Sequence, residues 1–143
     1  MKKTVIISIA LMLSSLFTGC NEDESSSLDC SEIACTLQFI SYWVQVKYPD
    51  GSNVALDRFN VIDKNSGEDL TRNFTQEELI AFQAAGSYPL YDDLTDAENP
   101  GISRTIVFQG FLGDIEIVSE EYKVGRDCCH AGIPEGNLDI IVD

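Results

Sequence analysis

The stretch TLQFISYWVQVKY, Thr36 to Tyr48, places Ile40, Tyr42, Val44 and Val46 on one side of an extended chain and Leu37, Phe39 and Trp43 on the other. A period of two marks a β-strand, and apolar residues on both sides predict one buried on much of both faces. Trp43 is accordingly expected in the core and not as a sugar-stacking platform. PDGSN then turns the chain, and VALDRFNVID, residues 54–63, is expected as the returning strand, with KNSGE turning the chain again. Further on, SRTIVFQGFL and IEIVSEEYKV flank Gly113 and Asp114, a two-residue hairpin turn, and NLDIIVD closes the chain as a final strand. This pattern predicts an all-β domain, an antiparallel β-sandwich of about six or seven strands.

One helix interrupts the strands. In FTQEELIAFQAAG, Thr75 can cap, Glu78 completes a capping box three residues later, Phe74 and Leu79 can form a hydrophobic staple, and Gly86 can stop the helix. Its expected role is to cover an open edge or end of the sandwich. The segment VQVKYPDGSNVALDRFNVID, Val44 to Asp63, resembles the opening of carboxypeptidase regulatory-like domains, which are transthyretin-like sandwiches. A second Asp-Gly turn leading to an aromatic, which that family has, is not found here. The resemblance implies a transthyretin-like fold and a module without catalytic activity, and the strand count itself suits a sandwich of immunoglobulin-like or transthyretin-like kind.

The opening MKKTVIISIALMLSSLFTGC has the layout of an export signal: Lys2 and Lys3, an apolar stretch over residues 4–17, then the small residues Thr18 and Gly19. The apolar run is shorter than the roughly 20 residues a spanning helix needs. LFTGC resembles the bacterial lipobox, with Phe17 in place of the usual Leu. The resemblance implies cleavage after residue 19 and acylation of Cys20, hence a lipid bilayer as one partner. Two or three acyl chains hold a domain at a bilayer where one gives only marginal binding. NEDESSSLD follows, so residues 20–29 are expected to form the lipidated cysteine and a disordered acidic tether, and residues 30–143 the single folded domain. Acidic residues directly behind the cysteine also resemble the surface-export signal of Bacteroidota lipoproteins. The expected location is therefore the outer membrane, facing the periplasm or the exterior.

Removal of the signal takes away two of the nine basic side chains, and seven against 24 acidic ones leave a net charge of −17. Such a surface repels phosphates, so nucleic acid is excluded as a partner. With Cys20 acylated, Cys30, Cys35, Cys128 and Cys129 remain, an even number in an exported chain, for which disulfides are the default. Adjacent cysteines on an extended chain point to opposite faces, so Cys128 and Cys129 are expected to take different partners, Cys30 and Cys35, in either pairing. A zinc site from Cys128, Cys129 and His130 fits badly, because ligands that turn around the ion are usually spaced by two to four residues. His130, the sole histidine, reads as a polar residue at a strand end.

YDDLTDAENPG, Tyr91 to Gly101, concentrates Asp92, Asp93, Asp96, Glu98 and Asn99 in a loop. Oxygen ligands of this kind suit calcium, the one cofactor the sequence suggests, with Asp92, Asp93 and Asp96 as its expected ligands, although their spacing is not that of the familiar calcium loop. Tyr88, Tyr91 and this loop are the expected contact segment for a protein or glycan ligand, because binding residues gather on loops held by a rigid scaffold. No G-x-S-x-G, H-E-x-x-H or phosphate-cradling glycine loop occurs, and the expectation is a non-catalytic interaction module. The alternative is a structural envelope component or an accessory subunit of an outer-membrane transport complex. The intact mass of the detergent-extracted protein is expected to show acyl chains on Cys20, with thiol alkylation of the other four cysteines only after reduction. Free alkylation without reduction would refute the disulfide reading.

Overall fold

A computed structural model describes residues 28–132 and 134–143. The expected signal, Cys20 and all but the end of the tether lie outside the described residues. The described chain is mostly strand, in two sheets, with one short helix: β1 (Ser41–Lys47), β2 (Arg58–Asp63), α1 (Gln76–Ala85), β3 (Ser87–Asp92), β4 (Ser103–Leu112), β5 (Ile115–Gly125) and β6 (Asp139–Ile141). The first sheet has the order β3-β1-β6 and the second β2-β4-β5. Val44 and Val46 of the first sheet and Ile106 and Phe108 of the second are fully buried in one shared hydrophobic cluster.

The quoted stretch forms a shorter strand than its alternation suggests. Leu37 is fully exposed and Phe39 is 55% exposed, because the chain joins β3 only at Ser41, opposite Asp92. Trp43 is not a core residue either, being 38% exposed. A register shift at Tyr42 and Trp43, opposite Pro89, interrupts the alternation, and the indole rests edge-on against Phe82 of α1. Pro89 is tolerated because β3 lies at the edge of its sheet. The sequence reading did not identify β3 as a strand.

The Asp50-Gly51 turn does reverse the chain. The Tyr48 N–H donates to the Ser52 carbonyl, and the Val54 N–H to the Val46 carbonyl. The returning segment then leaves its partner, so β2 pairs with β4 in the other sheet and not with β1. Val54 and Leu56 are fully buried along this crossing, where no neighbouring strand serves all their peptide groups. The buried Tyr88 hydroxyl donates to the Val54 carbonyl at 2.6 Å and accepts from the Leu56 N–H at 2.7 Å. Tyr88 is thus a structural strut at the crossing and not a surface contact residue.

The hairpin between β4 and β5 forms as expected, with Leu112 opposite Ile115. Gly113 has φ +57° whereas Asp114 does not enter the positive region, the sign pattern of a type II′ turn. The final strand also forms, but β6 runs parallel to β1, correcting the expectation of a wholly antiparallel arrangement. The chain reaches it from the second sheet, where Lys123 and Glu135 exchange backbone hydrogen bonds, and so enters the first sheet in the same direction as β1. In α1 both halves of the capping box are made between Thr75 and Glu78, and Gly86 ends the helix at φ +60°. A side chain at Gly86 would also strike the Val46 carbonyl oxygen and Asn53, so this glycine lets the helix end sit against β1. The helix packs on β3, and Phe82 bridges Trp43 to Phe59 and Phe74.

Replacement of Tyr88 by Phe leaves two buried peptide groups unsatisfied and is expected to cost about 2–4 kcal/mol. Denaturant unfolding should show a lower midpoint at unchanged slope; an unchanged midpoint would remove the strut from the account.

Candidate functional site

Both disulfides form, Cys30 with Cys128 and Cys35 with Cys129, so the adjacent cysteines do take different partners. They lie in a bend beyond β5. One carboxylate oxygen of Asp127 accepts from the N–H groups of Cys129 and His130 at 2.6 and 2.7 Å, which folds the bend and holds its carboxyl below the usual aspartate range. Arg126 spans from this bend to β3, donating to the carbonyls of Asp93 and Cys129.

Asp93 stands at the centre of this end of the molecule. One of its oxygens accepts from the Ala131 N–H at 2.6 Å, and the other accepts from the Ile40 N–H at 2.8 Å and faces His130 Nδ1 at 2.8 Å. Burial pushes its pKa up, but the Ala131 N–H, His130 and the Ile40 N–H outweigh that and hold it below the ordinary aspartate value. The other ring nitrogen, Nε2, lies 2.8 Å from the hydroxyl of Thr36. His130 is therefore the middle of a hydroxyl–imidazole–carboxylate chain and not a solitary polar residue. Its members are 94 and 37 positions apart, so no sequence motif announces them; the only signal was the adjacency of Thr36 and His130 to cysteines that the fold joins.

Asp92 and Asp96 belong to separate networks. Asp92 accepts from Arg72 at 2.6 Å through one oxygen and from the Leu94 and Thr95 N–H groups through the other. Asp96, at φ +57°, pairs with Arg104 and accepts from the Tyr91 hydroxyl. The largely buried Arg104 guanidinium also meets Asp63 and Glu68. These carboxylates are matched by guanidinium and N–H donors instead of converging, and among the described residues no group of three His, Cys, Asp or Glu could hold a metal ion. The expected calcium ligands Asp92, Asp93 and Asp96 are thereby reassigned as structural acceptors.

Tyr91 is reassigned for a similar reason. It is buried beside Tyr88, and burial, then the Asp96 carboxylate, push its phenol far above the usual range. Neither tyrosine presents a surface to a ligand.

The acidic loop nevertheless borders open space. A groove of about 600 Å³ runs between residues 68–73 and residues 94–99, with the exposed Leu94 on one wall. A second groove of about 300 Å³, which shares residues 71–73 with the first, is lined by Arg58, Phe59, Arg72, Phe74 and the first turn of α1. The Arg58 guanidinium lies 3.7 Å over the ring of Phe111, which restrains it at this groove. Sequence reasoning found the loop but not residues 68–73 or Arg58, because the facing wall comes from a segment with no regular pattern.

No protein-family model, curated protein or solved structure matches the chain.

Replacement of Arg104 by Met leaves Asp63 and Asp96 buried without their cation and is expected to destabilise the fold by about 3–5 kcal/mol. Thermal and denaturant melts check this, and a loss within error of zero would show the network to be dispensable.

Proposed function

We propose that the chain is a lipid-anchored extracytoplasmic interaction module, held at the outer membrane through acylated Cys20, whose two grooves, sharing residues 71–73, take a protein or glycan ligand. The two sheets, in this reading, are the halves of a β-sandwich of immunoglobulin-like or transthyretin-like kind. The observation that carries it is the larger groove, walled by the acidic loop and held by the Arg72–Asp92 and Arg104–Asp96 pairs. A loop anchored in this way keeps its shape without a ligand, and a preorganised wall lowers the ordering cost of binding. The two disulfides accord with an oxidising compartment, and the acidic surface with a partner that is not a nucleic acid. The exposed Leu94 and Glu98 are not part of the carboxylate–arginine networks, so they can be altered without disturbing the scaffold.

A photo-crosslinking side chain placed at Leu94 or Glu98 in cells should capture a ligand. The same group at Ile115, an exposed residue at the β4–β5 hairpin that lines neither groove, should not. Capture at Ile115 alone would instead favour an envelope-complex subunit that docks through the opposite kind of surface, a hairpin tip.

A further inference from the structure

The chain from Thr36 through His130 to Asp93 has a direction that its chemistry dictates. The Asp93 carboxylate can only accept, so Nδ1 of His130, 2.8 Å from it, carries a proton. A neutral imidazole protonated there has its lone pair on Nε2, and the Thr36 hydroxyl, 2.8 Å from Nε2, donates to it. This order, hydroxyl to imidazole to carboxylate, is the one in which a side-chain oxygen gains nucleophilicity by losing its proton to a neighbouring base.

Further features suit such a role. Cys35 immediately precedes Thr36, Cys129 immediately precedes His130, and these cysteines are bonded to one another, so a covalent link holds hydroxyl and base together without help from a substrate. Asp93 is itself fixed by the N–H groups of Ile40 and Ala131, which sets the tilt of the ring. Thr36 is exposed, and neither groove is lined by Thr36 or His130, so the site opens onto free surface and suits a small or protruding acyl group.

We propose that Thr36 is an activated hydroxyl that accepts the acyl group of a small carboxylic ester, with His130 as its general base and Asp93 as a positioning residue. Thr36 Oγ1 attacks the ester carbonyl carbon while its proton passes to His130 Nε2. The bond to the leaving oxygen breaks, that oxygen takes the proton, and an alcohol departs from acyl-Thr36. Water attacking the acyl group by the same route releases the carboxylic acid and restores the hydroxyl. This chemistry goes beyond the interaction module and stands whether or not the grooves bind a ligand.

The test uses the oxidised full-length protein with p-nitrophenyl acetate as the probe, and peptide mass spectrometry to locate the acetyl group over time. Thr36 should acetylate at least about 100-fold faster in the wild type than in His130→Gln, the lower end of the effect of a general base. Thr36→Ser should retain the label and Thr36→Val lose it, each with an unchanged melting curve, because the position is exposed. Equal rates in wild type and His130→Gln, or acetyl groups on lysines or His130 in place of Thr36, would each overturn the proposal and leave the chain as a strut.

Discussion

A chain that leaves one sheet for another must carry its peptide groups through the interior without a full ladder of partners, and here a buried phenol meets much of that demand, with the Gln83 side chain donating to the Leu56 carbonyl. Tyr88 lies in the edge strand of the first sheet, yet its hydroxyl serves the crossing segment that leads to the second, bonding Val54 and Leu56 at once. An unpaired buried peptide group costs on the order of 1–3 kcal/mol, so without this contact the crossing would be drawn toward solvent. Phe59, the first buried residue of β2, packs against both Tyr88 and Phe108, which joins the same tyrosine to the second sheet. That side chain braces the entry into β2, whose ladder with β4 then places the 68–76 segment that bonds back to Val61.

The two disulfides act at the other end and do different amounts for stability and for position. Cys30–Cys128 closes a ring of 98 residues, which the chain-entropy treatment values at about 5 kcal/mol. Once that ring exists, Cys35–Cys129 closes only a small further loop, worth about 2 kcal/mol on the same treatment. The second bridge therefore matters more for geometry, since it sets Thr36 beside His130 while Asp93 and Arg126 tie the bend to β3. The segment before β1 is largely exposed, and these bridges, the Thr36–His130 bond and the Ile40–Asp93 contacts hold it to the body.

Charge has a consistent logic across the molecule. With acidic side chains in large excess, Arg72 and Arg104 are committed to carboxylates with little solvent access, and Arg126 to backbone carbonyls around Asp93. A string of aspartates in a loop is chemically ambiguous, because the same oxygens suit a divalent cation, a guanidinium or the N–H groups of a turn. Arg72, 20 positions before Asp92, and Arg104, eight positions after Asp96, decide the matter in favour of the second and third. What remains exposed on the acidic loop, notably Leu94 and Glu98, is then available at the groove wall.

Local chemistry alone determined the strand character of β1, the β4–β5 hairpin at Gly113-Asp114, the helix from its Thr75–Glu78 capping box to Gly86, and the sorting of adjacent cysteines to different partners. Each depends on a few neighbouring residues or on the geometry of a single bond, so the sequence carries it in full. Tertiary structure alone decided the change of sheet after Val54, the parallel entry of β6, the exposure of Trp43, the burial of Tyr88 and Tyr91, and the meeting of Thr36, His130 and Asp93. These rest on contacts between residues tens of positions apart. The alternation of a strand shows that a face is buried but not which strand it meets, and the spacing of acidic residues does not show which arginine will reach them.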